Sequence, residues 1–147
     1  MRKTRSMMLV GLIALMVDVG VAAAQQGGAV TTLTASLTGG VEVPGPGDPD
    51  GNGSATLQLD PGQSRVCFEL RASGIGPARA AHVHRGGRGA AGPVVLGLTP
   101  PEQGSSRDCV AADRALIEDI VRNPGGYYVN LHNAEFANGA LRGQLTP

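Results

Sequence analysis

The sequence predicts an all-β domain, an antiparallel Greek-key β-sandwich or flattened barrel with one short helix. Two observations lead to this prediction. Glycine and proline account for 23 and 10 of the 147 residues, a composition that favours turns over long helices. Several short segments also alternate apolar and polar residues, as strands with one buried face do.

Seven segments have this alternating pattern. They are residues 30–37, 54–60, 66–70, 80–85, 93–98, 127–133 and 141–145. Turn sequences join three successive pairs, namely Pro61-Gly62, Gly86 to Gly92, and Asn138-Gly139. Because such turns connect antiparallel neighbours, each pair is expected to form a hairpin.

A single helix is predicted between these strands. Asp113 can cap its N-terminus, and Asn123-Pro124-Gly125 ends it. Its apolar stripe consists of Leu116, Ile117, Ile120 and Val121. We find no internal repeat and no sign of a second domain.

The first 24 residues have the features of an export signal. A basic start is followed by an apolar run, and a cleavage site of small residues comes last. These parts are Arg2, Lys3 and Arg5, then Met7 to Val17, then Ala22-Ala23-Ala24. The sequence therefore predicts a signal peptide at 1–24 and one domain at 25–147.

A retained membrane anchor is the weaker alternative. Asp18 interrupts the apolar run, whereas a membrane span needs about 18 or more uninterrupted apolar residues. After cleavage no stable membrane span is expected. The product is predicted to be periplasmic or secreted.

The charges and the cysteines bear on the class of protein and on its cysteine chemistry. The chain has 12 basic and 12 acidic residues, a balance that speaks against nucleic-acid binding. Cys67 and Cys109 are the two cysteines, and an even pair in an exported chain predicts a disulfide. A catalytic cysteine is less favoured, because no histidine lies near either thiol in the sequence to act as its base.

Several separated motifs resemble those of the CHRD domain, the module named after chordin. The motifs are Glu42-Val43-Pro44, Ala81 to Gly86 (AHVHRG), Gly92 to Val95 (GPVV), Tyr127 to His132 (YYVNLH) and Gly139 to Leu145 (GALRGQL). The resemblance covers Leu33 to Leu145. It implies an extracellular β-rich module, found in animal chordins that sequester bone morphogenetic proteins and in many exported bacterial proteins without an established activity.

All three histidines of the chain lie in two of the predicted strands. His82 and His84 share one face of their strand, because side chains alternate. On the later strand His132 lies on the polar face, together with Tyr128 and Asn130. If these two strands are neighbours, the three imidazoles converge away from the apolar core.

Three imidazoles suit copper or zinc with an open coordination position. The His-x-His pair also resembles the copper ligands of the copper,zinc superoxide dismutases, although the chain lacks their further histidines and bridging aspartate. The alternative is structural: the histidines hydrogen-bond to polar neighbours on the same face. Glu42, Asn130 and Arg142 are the supporting polar residues expected there, whichever role the histidines have.

A weaker candidate site is an acidic turn. Asp48, Asp50 and Asn52 carry oxygen ligands at alternate positions, like the start of a calcium-binding loop. The twelfth position is Leu59 where such a loop needs glutamate. A solvated turn is the competing interpretation.

Two functions remain open from the sequence. One is an exported binding or structural module of immunoglobulin-like or superoxide-dismutase-like fold that binds copper or zinc. The other is a module that binds an unidentified extracytoplasmic partner without metal. An enzyme is less favoured, because no nucleophile motif is present and the sequence indicates no substrate.

Overall fold

The computed structural model describes residues 28–147. The strands are β1 (Thr31–Thr38), β2 (Asn52–Asp60), β3 (Arg65–Ser73), β4 (Ala78–Arg85), β5 (Val94–Leu98), β6 (Ser105–Ala111), β7 (Tyr127–Asn133) and β8 (Leu141–Gln144). Helix α1 (Arg114–Arg122) precedes β7, and short 3-10 turns occupy Gly39–Val41 and Pro124–Gly126. The predicted signal peptide at 1–24 lies outside the described residues.

The eight strands form one antiparallel sheet in the order β5-β4-β7-β8-β1-β2-β3-β6. Side chains bridge its two edge strands. The Thr99 hydroxyl, just after β5, donates to Asp108 Oδ2 of β6 at 2.8 Å, and the Ser106 hydroxyl donates to the Thr99 carbonyl at 2.7 Å. The sheet therefore curls into a nearly closed barrel, which confirms the all-β prediction in its barrel form.

The barrel interior is filled by the apolar positions of the alternating strands. Leu57, Leu70 and Val83 are completely buried there. Helix α1 adds Ile117 and Ile120, which are also completely buried, so its predicted apolar stripe packs on the core. Burial of this apolar surface is the main driving force of the fold.

The three predicted hairpins are present as β2–β3, β4–β5 and β7–β8. Strand β6 is the element that the sequence pattern did not predict. It lies at the edge of the sheet and most of its side chains are exposed, so its sequence has no clear alternation between apolar and polar residues. Cys109 of β6 lies directly opposite Cys67 of β3, and the two form the predicted disulfide.

Loops cover the outer face of β7 and β8. The Arg142 guanidinium donates through Nη2 to the carbonyls of Gly87 and Ala90, at 3.0 and 2.8 Å. The backbone amide of Asp48 donates to the Ala140 carbonyl at 2.9 Å and holds a second loop against β8. Polar residues on this face are consequently buried, although they point away from the barrel interior. No helix within residues 28–147 has the length and apolar character to cross a membrane.

Candidate metal centre

The histidine-bearing strands β4 and β7 are direct neighbours. Their register places His84 opposite Tyr128, His82 opposite Asn130, and Ala80 opposite His132. His132 is therefore two residues along β7 from Asn130, the residue opposite His82, and its side chain lies on the same face of the sheet. The condition that the sequence left open, adjacency of the two strands, is met.

The three imidazoles converge on one point. One nitrogen of each ring lies within 4.8 Å of the corresponding nitrogens of the other two. His82 Nδ1 and His132 Nε2 lie 3.3 Å apart. Two nitrogens bound to one tetrahedral zinc ion at the usual bond length lie about 3.3 Å apart, so this pair already has the spacing of two metal ligands.

Backbone carbonyls fix the tautomers of two histidines. His84 Nδ1 lies 2.8 Å from the Gly92 carbonyl, and His132 Nδ1 lies 3.0 Å from the Ala137 carbonyl. Because a carbonyl oxygen only accepts hydrogen bonds, both Nδ1 atoms carry the proton. Each Nε2 atom is therefore an acceptor that carries a lone pair, the tautomer typical of metal-ligating histidines. The lone pair of His132 Nε2 faces His82 Nδ1.

The Nε2 atom of His84 is a buried acceptor without a donor. It is shielded from solvent and has no hydrogen-bond partner among residues 28–147. Buried polar atoms are nearly always satisfied, and an exception calls for a specific explanation such as a bound ion or water. One nitrogen of the His84 ring lies within 4.8 Å of nitrogens of His82 and His132. Because Nδ1 is bonded to the Gly92 carbonyl, Nε2 is the nitrogen available to an ion held between the three rings.

The surroundings favour the neutral, metal-binding form of the imidazoles. Burial lowers the pKa of His82, and the charges of His132 and His84 lower it further. Burial likewise lowers the pKa of His132, against the opposing effect of its bond to Ala137. Because their ordinary pKa is about 6.5, both rings are neutral at pH 7.

An aromatic stack supports His84. Its ring lies on the Tyr128 ring with centroids 4.8 Å apart and an interplanar angle of 9°. Arg142 lies on Tyr128 as well, with its guanidinium carbon 3.4 Å from the ring centroid. Since β4 and β8 flank β7 on opposite sides, His84 and Arg142 sandwich the tyrosine.

The predicted supporting residues Glu42, Asn130 and Arg142 are all buried. Asn130 lies opposite His82 in the strand register. Asn130 Nδ2 donates to Glu42 Oε1 and also to the Leu141 carbonyl, the latter at 3.0 Å. Burial raises the pKa of Glu42 to about 7, although Arg142, the Val43 amide and Asn130 each oppose this shift. Arg142 forms no ion pair in the described part of the chain; its contacts are the two carbonyls and Tyr128.

Sequence reasoning missed the roles of Tyr128, Gly92 and Ala137. Tyr128 was placed on the correct face by the alternation of β7, and an aromatic ring opposite a histidine was the available signal. The other two residues contribute backbone carbonyls from loops. The side-chain pattern of the sequence carries no sign of such contacts.

The acidic turn lies apart from the histidines in sequence and has its own internal contacts. Asp48 Oδ1 accepts from the backbone amide of Asp50 at 3.1 Å, and Asn52 Oδ1 accepts from the Ser73 hydroxyl at 2.9 Å. These contacts are those of a turn and of a strand pair. Calcium binding by Asp48, Asp50 and Asn52 stays a prediction.

Comparison with known proteins identifies the family. No curated protein and no solved structure matches the chain. The family model of the CHRD domain matches residues 33–145, which extend from β1 past the end of β8 and include all three histidines. With more than half of its length matched in this way, the chain belongs to the CHRD domain family.

Proposed function

We propose that this protein is an exported CHRD-domain module that binds one transition-metal ion, copper or zinc, through His82, His84 and His132. An open coordination position remains for water or another small ligand. The supporting signs of export are the signal-like start of the sequence and the disulfide between Cys67 and Cys109.

One observation supports metal binding above the others: the buried, unsatisfied Nε2 atom of His84. A protonated neighbour could satisfy it only if the neighbouring rings turned, whereas an ion satisfies it where it stands. Without metal, His82 Nδ1 donates a hydrogen bond to His132 Nε2. An ion can replace this bond once the His82 proton moves from Nδ1 to Nε2 of the same ring.

A second function is favoured by the same 3.3 Å contact. In this alternative the hydrogen bond between His82 and His132 is kept in the working protein and no metal binds. The cluster then only holds β4 against β7, and the domain acts through a protein partner. This function leaves His84 Nε2 unsatisfied, which is why we place it second. It predicts no metal uptake and a specific partner in envelope extract.

Metal analysis distinguishes the two functions. It uses the full chain, expressed with its export signal and purified without a polyhistidine tag. After loading with copper or zinc and desalting, we expect one ion per chain. His84→Ala and the double variant His82→Ala/His132→Ala should lose it. Asp48→Asn/Asp50→Asn, which alters the acidic turn, is the matched control and should keep it. Uptake below about a tenth of an equivalent in the unaltered protein contradicts metal binding at such a site.

A further inference from the structure

We propose, resting on the metal site proposed above, that the histidine cluster favours monovalent copper over divalent ions and that Arg142 sets this preference. The argument has two parts: the ligands leave the charge of the ion uncompensated, and a buried guanidinium adds a further positive charge beside it.

The ligands are neutral. Within the described residues, the metal-binding group consists of the three imidazoles alone, with no carboxylate among its members. The sulfur atoms of Cys67 and Cys109 are joined in the disulfide and supply no thiolate. An ion bound here keeps its full charge, so the surrounding charges act twice as strongly on zinc(II) or copper(II) as on copper(I).

The coordination number fits the same ion. Zinc is usually bound by four ligands, so a site with three protein ligands needs a water molecule as the fourth. Copper(I) accepts three ligands, the number of nitrogens that the cluster brings within 4.8 Å of one another. The site therefore satisfies copper(I) without a further group.

Arg142 brings a positive charge close to the site and has no ion-pair partner among residues 28–147. Its side chain is 2% exposed, its Nη1 atom is buried without a partner among residues 28–147, and its Nη2 atom bonds to neutral carbonyls. Only the ring of Tyr128 separates the guanidinium from His84. At about 10 Å and an effective dielectric constant of about 20, one positive charge disfavours each further unit of ionic charge on the order of tenfold.

Glu42 is the carboxyl whose charge acts on Arg142. It is buried and bonded to Asn130 rather than to the guanidinium. Above its pKa of about 7 the carboxyl is negatively charged, and this charge has the opposite effect on the bound ion. Arg142 and Glu42 thus provide two substitutions that should change the selectivity in opposite directions.

The test measures the affinity of the full chain for copper(I) and for zinc(II) by competition with coloured chelators. It is done at about pH 8, where Glu42 is ionised, with copper kept reduced by ascorbate under anaerobic conditions. The quantity of interest is the ratio of the two affinities. Arg142→Gln should lower the preference for copper(I) on the order of tenfold, and Arg142→Lys, which keeps the charge, should preserve it. Glu42→Gln should raise the preference.

Arg85→Gln is the matched control. Arg85 also lies over a tyrosine, with its guanidinium carbon 5.1 Å from the centre of the Tyr127 ring, but its side chain is 54% exposed and pairs with Asp119. Solvent screens such a charge, so its removal should leave the ratio unchanged. Circular dichroism of each variant verifies the sheet.

The outcomes are distinct. An unchanged ratio in folded Arg142→Gln overturns the role of Arg142. If that variant does not fold, Glu42→Gln decides, and an unchanged ratio there also overturns the proposal. Absence of both metals from the unaltered protein instead contradicts the proposed metal site itself, and the selectivity falls with it.

Discussion

His84 and Tyr128 lie face to face on neighbouring strands, with ring centroids 4.8 Å apart and an interplanar angle of 9°. Both side chains also contact one loop residue: the Tyr128 hydroxyl accepts from the Gly92 amide at 3.1 Å, and His84 Nδ1 donates to the Gly92 carbonyl at 2.8 Å. The orientation of this histidine is thus fixed by β7 and by the loop between β4 and β5 at once.

Tyr128→Leu removes the stacked ring and should lower metal affinity. Groups that orient a metal ligand typically contribute about 10- to 100-fold to affinity, so a loss of about tenfold is expected by chelator competition. Tyr128→Phe keeps the ring and loses only the hydroxyl bond to Gly92, so its affinity should fall much less. Equal losses in the two variants contradict a role for the ring itself.

Gly92→Ala should disrupt both the loop and the orientation of His84. A β-carbon at Gly92 would lie 1.7 Å from the Arg85 carbonyl oxygen. The backbone must move to relieve this clash. We expect a loss of several kcal/mol in the free energy of unfolding, measured by urea titration, together with weaker metal binding. Gly87→Ala lies in the same loop with open space around its β-carbon and should change neither quantity.

Glu42→Gln should change how stability depends on pH in the metal-free protein. The folded-state pKa of Glu42 is about 7, above its ordinary 4.5, so between these values the folded state binds more protons than the unfolded state. The contribution of Glu42 to the free energy of unfolding therefore falls as pH rises from about 4.5 to 7, by at most about 3 kcal/mol.

The comparison uses urea titrations from pH 4.5 to 8. His82 and His132, whose pKa values are lowered, make stability fall as pH drops below about 6.5, but they do so in both proteins and cancel in the difference. The variant should gain stability relative to the unaltered protein as pH rises. Glu135→Gln, at an exposed carboxyl lining the same small cavity as Glu42, is the control. A difference independent of pH contradicts the raised pKa.

Removal of the disulfide should destabilise the fold. Cys67 and Cys109 close a loop of 42 residues, for which chain entropy gives about 4 kcal/mol. The double variant Cys67→Ala/Cys109→Ala should show this loss in urea titration. Because the histidines lie on β4 and β7, its metal stoichiometry should stay at one ion per chain. Loss of metal together with an intact sheet would show that the two sites are coupled.

The sequence predicted correctly those features that depend on a single periodicity of apolar and polar residues or on a local turn. Alternation along β4 and β7 placed His82, His84 and His132 on one kind of face, and turn chemistry gave the three hairpins. The apolar stripe of α1 was correct for the same reason, since Ile117 and Ile120 recur at helical spacing. The candidate site could therefore be named before its geometry was known.

The remaining features depend on contacts between distant segments. Strand β6 lies at the edge of the sheet and most of its side chains are exposed, so its sequence does not alternate between apolar and polar residues. Arg142 and Asn130 lie on the polar face, yet they are 2% and 3% exposed because loops fold over them. Neither strand order nor loop placement is encoded in periodicity, and so the stack on Tyr128 and the carbonyls of Gly92 and Ala137 were not predictable.

The most direct measurement is anomalous diffraction from crystals of the full chain grown with copper or zinc. We expect a single strong anomalous peak about 2.0 to 2.1 Å from one nitrogen of each of His82, His84 and His132, with the Nε2 atom of His84 among the three. A structure refined from the same crystals in which these nitrogens surround no ion, or in which the ion lies at another group, would contradict the account.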